Sequence, residues 1–190
     1  MSLLLLLWLL LFLAMPVSHS RHNTSGAKSV CGCALLPVKT NFRGPAPSPS
    51  SVGLEKEAID IVDEALRSFR WNILFKNFEV LGDADRVLVY LTLWIQKCLS
   101  VASQASGLED ASRQLEVMAS ADMPGPGDAG FVLAPLFPSA GALESQTAKA
   151  YLKQIRQESL YRLLPTLYPG GQPNKWWFQF SKKKFMNFVL

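Results

Sequence analysis

Apolar residues recur every three or four positions along most of this chain, the period of a helix with one buried face. Between about Leu54 and Phe78 the stripe is Ile59, Val62, Leu66, Phe69 and Ile73, which predicts a first helix. Glu55, Glu57, Asp60, Asp63 and Glu64 crowd its beginning, where the positive end of the helix dipole favours carboxylates. Asp60, Asp63 and Glu64 read as a solvated acidic face, because no activating base or buried partner stands near them in the sequence. Gly82 then breaks the chain, and Asp83 is placed to cap a second helix from about Ala84 to Gln104. Here the pattern changes, since only Thr92, Gln96 and Lys97 are polar between Val87 and Leu99. A helix that is apolar nearly all round is covered on all sides, so this one is predicted to be central. Val87, Val89, Tyr90 and Ile95 would also suit a strand, but length and capping favour the helix.

Two further helices follow. A weaker one runs from about Leu108 to Ala119, with Leu115 and Met118 inward. Another spans about Glu144 to Leu164, burying Ala148, Tyr151, Leu152, Ile155, Leu160 and Leu163. Pro165 should end or bend it, because proline lacks the N–H donor and disfavours helix in the residue before it. The connections are long and rich in proline and glycine. Pro37 to Gly53, centred on GPAPSPSS, reads as an extended arm on the domain surface, either a strap for a partner or a plain connector. Met123 to Gly141 holds four prolines and four glycines, with Phe131, Leu133, Leu136 and Phe137 to fold it back onto the core. Tyr168 to Pro173 is a turn leading to a closing segment from Asn174 to Leu190. In that segment Trp176, Phe178 and Phe180 alternate as in a strand, whereas Trp177, Ser181 and Phe185 share a helical face. The predicted class is mainly α: one domain over residues 15–190, with a central apolar helix surrounded by other helices.

Composition narrows the chemistry. A length of 190 residues suits one domain, and an 18% share of charged residues hints at surface covered by a partner. Net charge is only +4 but unevenly placed: no acidic residue follows Glu158, while Arg162, Lys175, Lys182, Lys183 and Lys184 remain. A basic end is a solvated surface, a nucleic-acid patch or a seat for an acidic protein; without a nucleic-acid motif, the acidic protein is preferred. The three cysteines, Cys31, Cys33 and Cys98, form no disulfide framework and suit a reducing compartment. His19, His22, Cys31 and Cys33 could be read as zinc ligands, but Cys-x-Cys fits common structural spacings poorly. No Ser/His/Asp or Cys/His arrangement and no phosphate-binding glycine loop is visible, so an enzyme is not expected. Residues 1–14 form an apolar leader in which Leu3 to Leu13 carries no charge. That is too short to span a bilayer, which needs about 20 residues, so no stable membrane insertion is expected. With the Asn23-Thr24-Ser25 sequon it sustains one rival reading, a secreted helical bundle.

The order KWW-x-x-F-x-K-x-x-FMN in the closing segment resembles the C-terminal signature of subunit 3 of the actin-related protein 2/3 complex. Similar blocks stand in the same order: ALLPVKTNFRGPAP (Ala34 to Pro47), DIVDEA (Asp60 to Ala65), NILFKNFE (Asn72 to Glu79), ADRVLVYLTL (Ala84 to Leu93), PGPGDAGF (Pro124 to Phe131) and AYLKQIRQE (Ala150 to Glu158). The resemblance covers Met15 to Phe188, and MPVSHS (Met15 to Ser20) looks like the amino terminus of family members. Translation is therefore expected to start at Met15, leaving residues 1–14 as an upstream extension. The resemblance implies a structural, cofactor-free subunit of an assembly that nucleates branched actin filaments in the cytoplasm, at the cytoskeleton, cell projections and sites of branched actin. It further implies contact with the other subunits, chiefly the larger actin-related protein, and with the mother filament. Phe42, Arg43 and Pro45 of the arm, with Lys175, Trp176, Trp177, Lys182, Lys183, Lys184 and Phe185 of the closing segment, are the expected partner contacts.

Overall fold

The computed structural model describes residues 17–53, 58–138, 141–188 and 190. The apolar run Leu3 to Leu13 and the expected start at Met15 lie outside them. Five α-helices stand among the described residues: α1 (Ile61–Asn72), α2 (Asp83–Ala102), α3 (Leu108–Ser120), α4 (Ala142–Leu167) and the short α5 (Lys175–Phe178). Helix α2 packs against α1, α3 and α4 at once. Every residue from Val87 to Leu99 except Lys97 is buried, as the nearly unbroken apolar run predicts. Its two polar intruders are satisfied: the Thr92 hydroxyl donates to the Leu88 carbonyl at 2.8 Å, and Gln96 accepts the Phe185 amide at 2.9 Å.

Helix boundaries depart from the expected ones where the chain needs distant partners. α1 starts at Ile61, where the Asp60 carboxylate caps it, accepting the amides of Val62 at 3.1 Å and Asp63 at 2.9 Å; the expected start near Leu54 lies outside the described residues. It stops at Asn72 rather than Phe78. The Asn72 carboxamide clasps the Ser18 backbone, and the released chain carries Phe78 across to stack edge-on against Phe185, ring centroids 5.9 Å apart. Asp83 does not cap α2; it sits in the first turn, paired with Arg86. The cap comes from elsewhere: Asn23, in a 3-10 turn over Arg21–Thr24, accepts the Asp85 amide at 3.1 Å. Gly82 makes room for it, since a Cβ there would lie 2.4 Å from that carboxamide oxygen.

α4 runs through Pro165 to Leu167 without ending at Leu164. Tyr161, whose carbonyl loses its partner there, and Pro165 both lie on the exposed face, so the forfeited bond falls where water is available. All six residues expected on its buried side are buried. The loop after α3 folds back as expected, with Phe131, Leu133 and Phe137 buried and Lys149 of α4 holding its Asp128 at 2.9 Å. A small hairpin was not foreseen: β1 (Ser29–Val30) pairs antiparallel with β2 (Cys33–Ala34) around Cys31 and Gly32, both at positive φ. Its Val30, Cys33 and Ala34 are buried, and β2 packs against α2.

Candidate partner interface

The expected contact residues sit in two places. The arm lies along α4, and over Phe42 to Ala46 it is fastened by one side chain. The Gln154 carboxamide donates to the Phe42 carbonyl and accepts the Ala46 amide, both at 2.8 Å. Gly44 passes so close that a Cβ would come within 2.3 Å of the Gln154 oxygen. Arg43 is left exposed, while Phe42 and Pro45 are half-buried. Phe42 leans edge-on toward Tyr161, centroids 6.5 Å apart, at the mouth of an open groove of about 440 Å³ between the arm, α3 and α4.

The closing segment is divided between core and surface. Asn174 starts α5 by accepting the Trp176 amide at 3.1 Å, and the turn of helix then sends its two tryptophans in different directions. Trp177 is buried, stacked on Phe69 at 5.6 Å with the Arg70 guanidinium 5.3 Å from its ring. Phe185 is wholly buried against Phe78, its amide held by Gln96. These two are corrected from partner contacts to core residues, because their rings fill the space between α1, α2 and the chain after α1. Trp176 stays 60% exposed beneath the Lys175 ammonium, 5.4 Å from its ring. Lys182, Lys183 and Lys184 are all exposed. The segment is one helical turn followed by tight turns, neither the strand nor the longer helix that its spacing allowed.

The carboxylates at the start of α1 are not a solvated face. Asp60 and Glu64 are buried, and both work inside the fold. Arg162, counted with the free basic end, reaches Asp60 and Asp63 at 2.8 Å, Glu158 at 2.6 Å and the Lys39 carbonyl at 2.6 Å, so it is consumed internally. Burial pushes the Asp63 carboxyl up, but Lys39 and Arg162 outweigh it and hold it below the usual range. Glu64 and Asp85 fasten the amino-terminal segment. Ser20 donates its hydroxyl to Glu64 at 2.6 Å and its amide to Asp85 at 2.7 Å, and His19 sits 2.9 Å from Asp85.

The residues weighed as zinc ligands are spread over these elements. His19 faces Asp85, His22 stands 3.9 Å from Glu64, and Cys31 and Cys33 belong to the hairpin. Among the described residues, no group of three or more His, Cys, Asp or Glu side chains is arranged to hold a metal ion. Burial pushes the Cys33 and Cys98 thiols well above their ordinary values, which keeps them protonated and poorly nucleophilic.

One surface escaped the reading of the sequence. Arg67, Arg70, Trp71 and Leu74 recur at the i, i+3, i+4, i+7 spacing on the side of α1 and its following turn that faces away from the core. Trp71 is 45% and Leu74 51% exposed. The signal was present as a tryptophan out of phase with the Val62, Leu66, Phe69, Ile73 stripe.

A family model described as "P21-Arc: ARP2/3 complex ARPC3 (21 kDa) subunit" matches residues 15–190. Three relatives share the description "Actin-related protein 2/3 complex subunit 3". That of Arabidopsis thaliana is 40% identical over 177 residues, covering 92% of this chain and 99% of the relative. That of Schizosaccharomyces pombe is 41% identical over 182 residues, covering 93% and 100%. That of Dictyostelium discoideum is 39% identical over 179 residues, covering 92% and 99%.

Proposed function

This chain belongs to the family of the 21 kDa subunit of the ARP2/3 complex, and on that premise we propose that it is a structural subunit of such an assembly, contributing to nucleation of branched actin filaments. The observation that carries the reading is the match over residues 15–190, joined to a surface rich in exposed lysines and aromatic rings. The chain works by contact and has no catalytic step of its own; the buried thiols of Cys33 and Cys98, held protonated, support this. Its partners are the other subunits, chiefly the larger actin-related protein, and the mother filament. It acts in the cytoplasm at the cytoskeleton, in cell projections and wherever actin is branched. A rigid scaffold holding actin-like subunits in place lowers the translational and rotational cost that keeps free actin nuclei rare.

Within the earlier set, Lys175, Trp176, Lys182, Lys183 and Lys184, with Phe42, Arg43 and Pro45 of the arm, remain the partner contacts. The test is a reconstituted complex whose chain carries Lys182→Glu, Lys183→Glu and Lys184→Glu. Folding should be unchanged, because all three side chains are exposed. Incorporation into the complex, or the number of branches formed, should fall. Wild-type incorporation and branching together would refute the assignment of these lysines.

A further inference from the structure

Cations gather on one side of this molecule without carboxylates to neutralise them. Residues 65–78 and 159–190 contain no aspartate or glutamate. Apart from Arg162, which is bound internally, they carry Arg67, Arg70, Lys76, Lys175, Lys182, Lys183 and Lys184, all exposed. None of these has a carboxylate partner among the described residues.

The two stretches are far apart in sequence but joined in space. The Met186 amide donates to the Phe75 carbonyl at 3.3 Å, which brings the chain just after the lysine run against the residue between Leu74 and Lys76. Arg70 of α1 lies over the ring of Trp177 in α5. The outward stripe of α1 and the closing segment therefore form one continuous surface. Within the cationic field stand Trp71 and Leu74, two large apolar side chains with about half their area in water. Solvated lysine-rich faces do not need them, whereas the centres of lasting interfaces are built from such residues.

We propose that the outer stripe of α1 and the C-terminal lysines are a single interface, permanently covered by an acidic, partly apolar surface of a neighbouring subunit. Carboxylates on that subunit meet Arg67, Lys76 and the lysine run, while Trp71 and Leu74 enter a shallow apolar recess. Charge complementarity fixes the sign of the partner, and the exposed tryptophan argues for a permanent neighbour over a transient one. The inference rests on the family reading above and extends it to residues of α1.

Competition during assembly tests it. Wild-type and variant full-length chains are co-expressed in equal amounts with the remaining subunits, and their ratio in the purified complex is read by mass spectrometry. Trp71→Ala, and Arg67→Glu combined with Lys76→Glu, should each be outcompeted by at least about tenfold. Arg67→Lys should remain at parity, and the deficit of the charge-reversed pair should shrink as salt is added. The reversed pair alters only exposed side chains, so it keeps the test decisive even if Trp71→Ala impairs folding. Parity for both variants overturns the proposal. So does parity in assembly with loss of branching, which would turn this face toward the filament. Parity with loss of flotation on phosphatidylinositol-bisphosphate vesicles would assign the face to a membrane and likewise overturn it. If the Lys182, Lys183, Lys184 triple is excluded from the complex while the α1 variants are not, this inference alone fails. If all stand at parity, the assignment of the closing segment to subunit contact fails with it.

Discussion

At the scale of single residues, exposure separates side chains that the sequence presents as equals. Trp176 and Trp177 are adjacent, yet one is 60% exposed and the other buried against Phe69. Trp177→Ala or Phe185→Ala should each cost about 3–5 kcal/mol of stability, by cavity formation and lost aromatic contact. Trp176→Ala should stay within about 0.5 kcal/mol, as a surface change does. Thermal unfolding of the three purified variants checks the contrast. Asp63 offers a pH signature with a definite sign. Its carboxyl is held below the usual range when folded, so the unfolded chain binds the proton more readily. The stability it contributes is complete above the ordinary carboxylate pKa of about 3.9 and is lost as pH falls through the lower folded value. In Asp63→Asn the acid limb of the stability–pH curve should flatten, measured by denaturant titrations across that window. The aromatic rings and lysines of the candidate interface stand out in the sequence. Which rings face outward is not legible there, because that depends on where one turn of α5 falls against Phe69 and on a hydrogen bond from Gln96.

At the scale of elements, periodicity located the long helices and named the central one, since burial on all sides leaves no wet stripe to interrupt the pattern. Their ends were hidden because the chain fastens them from afar. Asn23 caps α2 across a gap of 62 residues, and Asn72 closes α1 onto Ser18. No local rule reaches such partners. The hairpin around Cys31 and Gly32 was equally silent, as two-residue strands carry no alternation to detect. Pro165 shows a local rule yielding to context, because the bond it removes lies on the open face of α4 near its end. Pro165→Ala should restore a donor for the Tyr161 carbonyl and raise stability by about 1 kcal/mol, well below the roughly 3 kcal/mol of a mid-helix proline. Denaturant midpoints of the two proteins decide it.

For the molecule as a whole, the two signs of charge have different duties. Many carboxylates are drawn inward to cap helices and clasp the amino-terminal segment, whereas cations are left to the α1 and C-terminal face. Arg162 is the junction of this scheme, touching Asp60 before α1, Glu158 on its own helix and the Lys39 carbonyl of the arm. Arg162→Ala would leave the buried Asp60 carboxylate with its backbone amides but without its cation and should lower stability by about 3 kcal/mol, seen as a lower unfolding midpoint and weaker arm protection in hydrogen exchange. The arm's other fastening is narrower still, for a single carboxamide both gives and receives the bonds to Phe42 and Ala46. Gln154→Glu would keep the acceptor for the Ala46 amide but lose the donor and set a carboxylate against the Phe42 carbonyl, freeing the Phe42 side of the arm. The stretch from Thr40 to Pro47 would then become digestible at Arg43: trypsin should nick that variant there within minutes while leaving the parent chain uncut at the same bond.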